Sequence, residues 1–358
     1  MRLVSVVGAR PQFIKLAPIA KAARAASVEH VIVHTGQHYD PMLSEVFFGD
    51  LGIPTPDVYL GIGSGSHGAQ TGAMLHAIEG VLTAQKPDWV LVYGDTNSTI
   101  AAALSAVKLH LRVAHLEAGL RSFNRRMPEE HNRVLTDHAA DLLLAPTRVA
   151  MDHLTAEGLA SRAVLVGDVM TDVLLEVRDR VAGLQSPLVR EFAVAPGGHY
   201  IATIHRAENT DDPLRLAELV GALSRLDRPV VLLAHPRLTA AAAVHGISLT
   251  RGSLIAHTPL AYPDLVAAAM GSAGVITDSG GLQKEAFLLR VPCTTARSET
   301  EWVETVELGW NVLAPTAREI AAAASRAAPT PTDAVPYGDG RAATRVIREL
   351  LLRTPERH

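Results

Sequence analysis

Four ionisable side chains have the types and the placement that acid–base catalysis requires. Three carboxylates and one imidazole lie at the predicted carboxyl ends of strands or in the loops that follow, and they are Asp95, Glu117, Glu129 and His205. In an open α/β sheet this edge forms the ligand crevice. Carboxylates in different environments take different protonation states, so one can act as base while another acts as acid.

Each of these residues also has a structural interpretation. Asp95 begins the run Asp-Thr-Asn-Ser-Thr, which is suitable for capping the helix predicted after it. A lone histidine such as His205 is more often structural, although its place beside Arg206 at a strand end favours function. Glu117 has no capping explanation, because it follows strand residues directly and precedes Ala-Gly. The charged stretch 113–138 as a whole could be a solvated loop with salt bridges.

A second constellation, residues 278–285, predicts an anion site. A strand ends, Ser279, Gly280 and Gly281 form a turn, and a helix begins. Glycines let backbone N–H groups approach an anion, and the helix N-terminus adds partial positive charge. The alternative is an ordinary strand-to-helix turn that needs glycine. Glu285, one turn into the helix, is placed to accept hydrogen bonds from ribose hydroxyls.

The anion predicted for this turn is a diphosphate held without metal. The lysine of a triphosphate-binding P-loop does not follow the glycines. Arg10, Lys15 and Arg206 are the cations available as countercharge.

Patterns for redox cofactors and metals are weak. Gly63, Gly65 and Gly68 have dinucleotide-binding spacing, but only a short apolar segment precedes them, so we interpret them as a loop before a helix over 70–83. The 16 histidines are scattered and the one cysteine cannot form a thiolate site, so we expect no metal. Cys293 is predicted to be a small core residue at a strand start.

Alternating apolar runs and helical patterns predict two α/β halves, since 358 residues exceed one ordinary core. Nearly continuous apolar runs are typical of strands buried on both faces of a parallel sheet. We place the domains at 1–168 and 169–336, with a cleft between them, and expect a Pro-rich connector and a terminal helix over 341–353. Strands are predicted at 3–7, 28–34, 89–93, 112–116, 142–145, 163–166, 200–204, 230–233 and 274–277.

Composition narrows the class of protein. A formal net charge of −4 gives no global basic field, which argues against nucleic acid as the main partner. Hydrophobic content of 48% indicates a folded globular chain. The start of the chain lacks a signal-peptide pattern, and no run approaches the ~20 apolar residues of a membrane span, so we expect a cytoplasmic protein without a membrane partner.

Seven segments together resemble the bacterial UDP-N-acetylglucosamine 2-epimerases of the non-hydrolysing type. They are Gly8–Lys15, Tyr93–Ser98, Glu117–Ser122, Met127–Glu130, His205–Asn209, Thr277–Glu285 and Glu299–Trp302. The resemblance implies a GT-B-like fold of two Rossmann-like domains, with the terminal helix packing back on the first. It also implies a homodimer, a UDP-sugar substrate, no cofactor, and a role in making cell-envelope polysaccharide precursors.

The resemblance further implies a reaction and roles. The C2 proton leaves and UDP is eliminated, which gives 2-acetamidoglucal. A proton and UDP are then added back, and C2 has the opposite configuration. Asp95, Glu117 and Glu129 would be the acid–base group, and His205 would assist at the phosphate or sugar. Arg10 and Lys15 would bind phosphate or the acetamido sugar. The residues implied to hold UDP are Arg206, Ser279, Gly280, Gly281 and Glu285.

Departures from the family pattern leave alternatives open. Ala9 and Gln12 stand where many members have Thr and Glu, and Tyr39-Asp40 after His38 puts activation by UDP-GlcNAc in doubt. The substrate could instead be UDP-2,3-diacetamido-glucuronic acid, or the outcome could be hydrolysis to ManNAc and UDP. A glycosyltransferase of the same fold and a non-catalytic UDP-sugar-binding protein are further hypotheses.

Overall fold

A computed structural model of the chain describes residues 1–37, 53–192 and 194–355, with Arg10 described by its backbone alone. Residues 42–48, whose sequence predicts a helix, and the loop around His38 lie outside these residues. The chain divides into two compact units. Unit 1 comprises Met1–Val173 and Val335–His358, and unit 2 comprises Leu174–Ala334.

Unit 1 contains a parallel sheet of seven strands. They are β1 (Arg2–Val7), β2 (Glu29–His34), β3 (Val58–Tyr59), β4 (Trp89–Tyr93), β5 (Val113–Leu116), β6 (Leu142–Ala145) and β7 (Ala163–Leu165). Their spatial order is β3-β2-β1-β4-β5-β6-β7, so the direction of winding reverses between β1 and β4. Ligands bind at such a switch point in doubly wound sheets.

Helices cover both faces of this sheet. They are α1 (Arg10–Ala25), α2 (His67–Gln85), α3 (Asn97–Lys108), α4 (Pro128–Ala139), α5 (Arg148–Ala156) and the terminal α15 (Ala342–Leu352), with a short 3-10 turn at Ala160–Arg162. Leu3 packs in one core with Leu16 of α1 and Leu350 of α15. Val4, pointing to the other face, packs in a second core with Met74 of α2. Burial on both faces explains the continuous apolar strand sequences.

Unit 2 repeats this plan with six parallel strands. They are β8 (Tyr200–Thr203), β9 (Val230–Leu233), β10 (Leu254–His257), β11 (Gly274–Thr277), β12 (Cys293–Thr295) and β13 (Asn311–Leu313). The order β10-β9-β8-β11-β12-β13 places the switch point between β8 and β11. Leu219 and Leu282 lie in cores on opposite faces of the sheet.

The remaining helices follow these strands. They are α6 (Val169–Val181), in which the chain passes from unit 1 to unit 2, α7 (Pro187–Glu191), α8 (Ala207–Thr210), α9 (Pro213–Leu223), α10 (Pro236–Val244), α11 (Tyr262–Met270), α12 (Gly280–Leu288), α13 (Val303–Glu307) and α14 (Ala317–Ala324).

All nine predicted strand ranges are present within about two residues, and the strand start predicted at Cys293 is that of β12. The strands that were not predicted are β3, β10 and β13, of two to four residues each. Such short segments carry too little periodicity to separate strand from loop. Cys293 begins β12 as predicted, and burial raises the pKa of its thiol to about 12. Residues 61–66 form a loop before α2, which begins at His67 instead of residue 70.

Candidate active site

The site in unit 1 is built on the loops after β1, β4 and β5. Gln12, a departure from the family pattern, joins the first two loops. Its Oε1 accepts from the N–H groups of Gly8 and Ala9 at 2.7 and 3.0 Å, and its Nε2 donates to the Tyr93 carbonyl at 2.8 Å. An ionised glutamate would place a second acceptor against that carbonyl, so the amide suits this arrangement.

Glu117 is held in an unusual conformation beside a lysine. Its φ of 69° lies in the left-handed region, which costs a non-glycine residue about 1–3 kcal/mol and is concentrated at functional sites. Its carboxylate forms an ion pair with Lys15 of α1. A Cβ on Gly94 would lie 3.1 Å from the Glu117 carboxylate and 3.5 Å from the Lys15 Nζ. Glycine at 94, with φ 60°, therefore lets this pair lie against the end of β4.

Lys15 carries a firmly held charge. Burial alone would lower the pKa of Lys15, but the nearby carboxylates of Glu117 and Asp95 outweigh it and raise the pKa above its usual value. The sequence assigned Lys15 to phosphate or sugar binding. The structure adds a direct contact with one proposed acid–base residue and an electrostatic interaction with another.

Asp95 is free of the capping role that its sequence context allowed. Thr96 caps α3, accepting from the Thr99 N–H. The Asp95 carboxylate instead pairs with Arg133 of α4, with Oδ2 at 2.6 Å from an Arg133 Nη atom. The Asn132 side chain also donates to the Asp95 backbone carbonyl, at 2.9 Å. Helix α4 thus positions the Asp95 turn.

The two adjacent glutamates of α4 have different environments. Glu130 is buried and accepts from the N–H groups of Ser122 and Phe123, both at 2.9 Å. Burial would raise the pKa of Glu130, but these bonds and Arg133 lower it overall. Glu129 is half-buried, and its carboxylate makes no hydrogen bond or ion pair with the rest of the described chain. Glu130 therefore anchors the loop, while Glu129 is available to a ligand.

In unit 2, the Asp278 side chain connects the end of β11 with the end of β8 through hydrogen bonds. This fully buried carboxylate accepts from the N–H groups of His205 and Arg206, at 3.1 and 3.0 Å. It also lies 3.0 Å from the His205 Nδ1. Burial would raise the pKa of Asp278, but the hydrogen bonds, led by that from His205, lower it overall. His205 is thereby oriented in the manner of a histidine backed by a carboxylate.

The glycine turn distinguishes two neighbouring positions. Ser279 precedes α12, which begins at Gly280. A Cβ on Gly280 would lie 2.1 Å from an Oε atom of Glu301, whereas a Cβ on Gly281 would have no neighbour within 4 Å. Gly280 therefore lets the Glu301 carboxylate lie against the turn, and Gly281 faces open space where an anion could approach. Glu285, one turn further, accepts from the Tyr262 hydroxyl at 3.2 Å.

The structure places the predicted site residues in two groups. In unit 1, Lys15 connects Asp95 and Glu117 electrostatically, and Glu129 begins the first turn of α4. In unit 2, the remaining predicted residues, His205, Arg206, Ser279, Gly280, Gly281 and Glu285, follow β8 and β11. The Arg10 side chain lies outside the described residues.

Sequence reasoning missed the partners of these residues. Arg133, one helical turn after Glu129, was not assigned to the site. Asp278 was included in the predicted 278–285 anion site, but without a role of its own. Arg121, in the charged stretch 113–138, has a side chain that is 1% exposed and pairs with Asp137 and Glu157, so it braces the fold. The available signal for Asp278 was a carboxylate directly after the apolar strand residues 274–277.

The described ranges contain neither a cluster of metal-ligating side chains nor a membrane-spanning helix. Their His, Cys, Asp and Glu side chains form no group of three suited to a metal ion. None of their helices combines the length and apolarity needed to cross a bilayer.

Comparison with known proteins identifies the class. The family model for UDP-N-acetylglucosamine 2-epimerase matches residues 20–351. A UDP-2,3-diacetamido-2,3-dideoxy-D-glucuronate 2-epimerase of Pseudomonas aeruginosa is 47% identical over 98% of this chain and 99% of its own. A UDP-N-acetylglucosamine 2-epimerase of Methanocaldococcus jannaschii is 39% identical, over 98% and 99%.

A solved structure agrees with these sequence matches. The M. jannaschii enzyme in complex with UDP-GlcNAc and UDP superposes with a TM-score of 0.82 at 38% identity, covering 98% of this chain and 100% of the other. The protein is thus an enzyme, a nucleotide-sugar 2-epimerase. The chain belongs to the UDP-N-acetylglucosamine 2-epimerase family. The resemblance seen in the sequence is confirmed, as is a two-domain α/β fold consistent with GT-B.

Proposed function

We propose that the protein is a non-hydrolysing epimerase that interconverts UDP-GlcNAc and UDP-ManNAc. A carboxylate takes the C2 proton, and the C1–O bond breaks with its electrons going to the UDP phosphate, which leaves 2-acetamidoglucal. A second group then protonates C2 from the opposite face while UDP attacks C1. The reaction is redox-neutral, so atoms and electrons balance without an oxidant.

The observation that carries this proposal is the pairing of two carboxylates with two cations in unit 1. Glu117 contacts Lys15, and Asp95 contacts Arg133. Each ion pair orients a carboxylate and compensates its charge in a partly dehydrated site. Glu129 lies on the same helix as Arg133 and has no partner among the described residues, so unit 1 offers three carboxylates in three environments, which suits proton transfer on both faces of C2.

We assign nucleotide binding to unit 2. Gly281 leaves space for a phosphate at the N-terminus of α12. His205, oriented by Asp278, and Arg206 supply polar groups at the same sheet edge. An anion there interacts with backbone N–H groups and the helix dipole.

The reaction is tested by NMR in D2O with UDP-GlcNAc as substrate. We expect UDP-ManNAc to form with deuterium at C2 in both sugars. Free ManNAc with UDP would instead identify a hydrolysing enzyme. Absence of deuterium from C2, in a sample that binds UDP, would refute epimerisation of this substrate.

A second candidate substrate, UDP-2,3-diacetamido-glucuronic acid, is favoured by a specific observation. Arg125 and Arg126 are exposed on the loop before Glu129, and their guanidinium groups form no ion pair with the described residues. Arg121 and Arg133, by contrast, pair with carboxylates. Free guanidinium groups beside the acid–base residues suit a sugar carboxylate, and the 47% identical relative is named for that substrate.

The two substrates are compared by kcat/KM in parallel assays. If the uronate is the substrate, it should be preferred, and replacing both Arg125 and Arg126 by Ala should raise its KM about 10-fold or more while sparing UDP-GlcNAc. Equal effects on both sugars, or no preference for the uronate, would leave UDP-GlcNAc as the substrate. Arg148→Ala, on α5, serves as the control for removing a surface charge.

The proposal includes assembly as a homodimer in the cytoplasm, supplying precursors of cell-envelope polysaccharides. Family resemblance supports the dimer, and a single buried cysteine suits a reducing compartment. Light scattering coupled to size exclusion should give twice the 38.1 kDa chain mass. A mass equal to one chain would contradict the dimer.

A further inference from the structure

A fully buried charged cluster lies beneath the acid–base residues of unit 1. His115 on β5 and Asp137 on α4 are both 0% exposed, and the Arg121 side chain is 1% exposed. A histidine within the apolar strand Val-Ala-His-Leu is costly to bury unless its polar atoms are satisfied. None of the three is among the residues assigned to the reaction above.

Both nitrogens of His115 face oxygen acceptors. Nδ1 lies 2.6 Å from the Asp137 Oδ1, and Nε2 lies 2.7 Å from the carbonyl oxygen of Gly94. A neutral imidazole carries only one N–H, so with Asp137 ionised beside Arg121 both contacts are hydrogen bonds only if the ring is doubly protonated. Asp137 also pairs with Arg121 at 2.7 Å, so its buried carboxylate contacts two cations.

The cluster connects the two turns that carry the proposed acid–base residues. The Gly94 carbonyl, to which His115 donates, belongs to the residue before Asp95. The other oxygen of Asp137 accepts from the Gly119 N–H at 3.0 Å, two residues after Glu117. One His–Asp pair therefore holds the backbone on both sides of the site.

We propose that His115, held as an imidazolium by Asp137, is a positioning residue that sets the spacing of the Asp95 and Glu117 turns. It touches no substrate and acts through the Gly94 carbonyl and, with Asp137, through the Gly119 N–H. Displacing a catalytic group by about 1 Å can cost about 100-fold in rate. Because the proposed UDP contacts belong to unit 2, losing this pair should lower kcat and leave UDP binding unchanged.

The test compares two histidine variants of the full-length enzyme, and it rests on the proposed epimerisation. His115→Gln keeps a polar group but cannot donate to Asp137 and Gly94 as the imidazolium does. His30→Gln is the matched control, since His30 contacts the Ser5 hydroxyl at 2.8 Å in the same sheet but touches neither turn. C2 deuterium exchange gives kcat and KM, calorimetry gives the UDP Kd, and thermal unfolding reports stability.

We expect His115→Gln to lower kcat about 10- to 100-fold, with KM and the UDP Kd within about threefold of the unsubstituted enzyme. His30→Gln should alter only stability. Equal kcat in both variants, or a loss explained by unfolding at the assay temperature, would overturn the positioning role. If the unsubstituted enzyme itself shows no C2 exchange, the proposed function fails, and the state of His115 is still decided by the next measurement.

A spectroscopic measurement does not depend on any variant folding. In 15N spectra at pH 7, both ring nitrogens of His115 should show the protonated shift. His30 provides the internal contrast, because burial lowers its pKa to about 4 against the opposing effect of Asp57, which leaves it neutral. One unprotonated nitrogen on His115 would overturn the proposal, whatever the activity assays show.

Discussion

Units 1 and 2 share a strand order and differ in what they place at the switch point. In unit 1 the loops after β1, β4 and β5 bring carboxylates against cations, as in the Glu117–Lys15 and Asp95–Arg133 pairs. In unit 2 the loops after β8 and β11 leave a glycine turn beside one satisfied carboxylate, Asp278. In our proposal one scaffold thus carries a site for proton transfer and a site for an anion, because function resides in the loops and not in the sheet.

The largest effect should come from the terminal helix, which belongs to unit 1 alone. Leu350 of α15 is fully buried in the core of unit 1. Leu350→Ala should lower the free energy of unfolding of unit 1 by about 2–5 kcal/mol, since it leaves a cavity. Chemical denaturation followed by a unit-specific probe measures this. An equal loss in unit 2, whose core lacks this helix, would contradict the division into two units.

The next effect concerns the charge pairing in unit 1. Lys15→Met removes the cation that contacts Glu117, so the carboxylate loses the group that orients it. The rate of C2 exchange should fall about 100-fold, with the UDP Kd within a few-fold. Lys108→Met, at the exposed end of α3, controls for loss of charge and should leave both quantities unchanged. A large loss of UDP affinity in Lys15→Met would show that Lys15 binds the nucleotide.

A smaller effect separates two neighbouring glycines in unit 2. Gly281→Ala should fold normally but weaken UDP about 10-fold, because the new methyl group occupies space that the phosphate requires. Gly280→Ala should instead push the Glu301 carboxylate away from the turn and weaken its ion pair with Arg297, with a small loss of thermal stability. If Gly281→Ala binds UDP with unchanged affinity, the turn is not the phosphate site.

The smallest effect is a loss of unfolding free energy at low pH, which we expect in both units. The pKa of Asp137 in unit 1 and that of Asp278 in unit 2 are both lowered on folding. Their stabilising contribution is therefore present above about pH 4 and lost as pH falls through the folded-state values. Asp278→Asn should make the decline in unfolding free energy of unit 2 below pH 4 less steep, by up to about 1.4 kcal/mol per pH unit. An unchanged slope would contradict the lowered pKa of Asp278.

The sequence predicted where the proposed site residues lie better than it predicted which side chains contact them. Asp95 and Glu117 could be placed because apolar runs locate the ends of parallel strands, and those ends share one sheet edge. The partners of these residues could not be predicted, because the Arg133–Asp95 and His115–Asp137 contacts join residues that are 38 and 22 positions apart in the sequence. Such contacts depend on how a helix rotates against the sheet, which periodicity does not specify.

The sequence also could not predict which of two adjacent polar residues takes a given role. Glu129 and Glu130 are chemically identical, and only the fold of the 122–123 loop buries one of them. The structure likewise assigned capping of α3 to Thr96 and left Asp95 to pair with Arg133. Both distinctions depend on backbone geometry within a few residues.

The central claim is that unit 1 performs the proton transfer while unit 2 holds UDP. It is tested most directly by Asp95→Asn, with C2 deuterium exchange and the UDP Kd measured on the same preparation. We predict that exchange falls to background while the Kd stays within a few-fold of that of the unsubstituted enzyme. Exchange at an undiminished rate, or a large loss of UDP affinity, would contradict this division of labour.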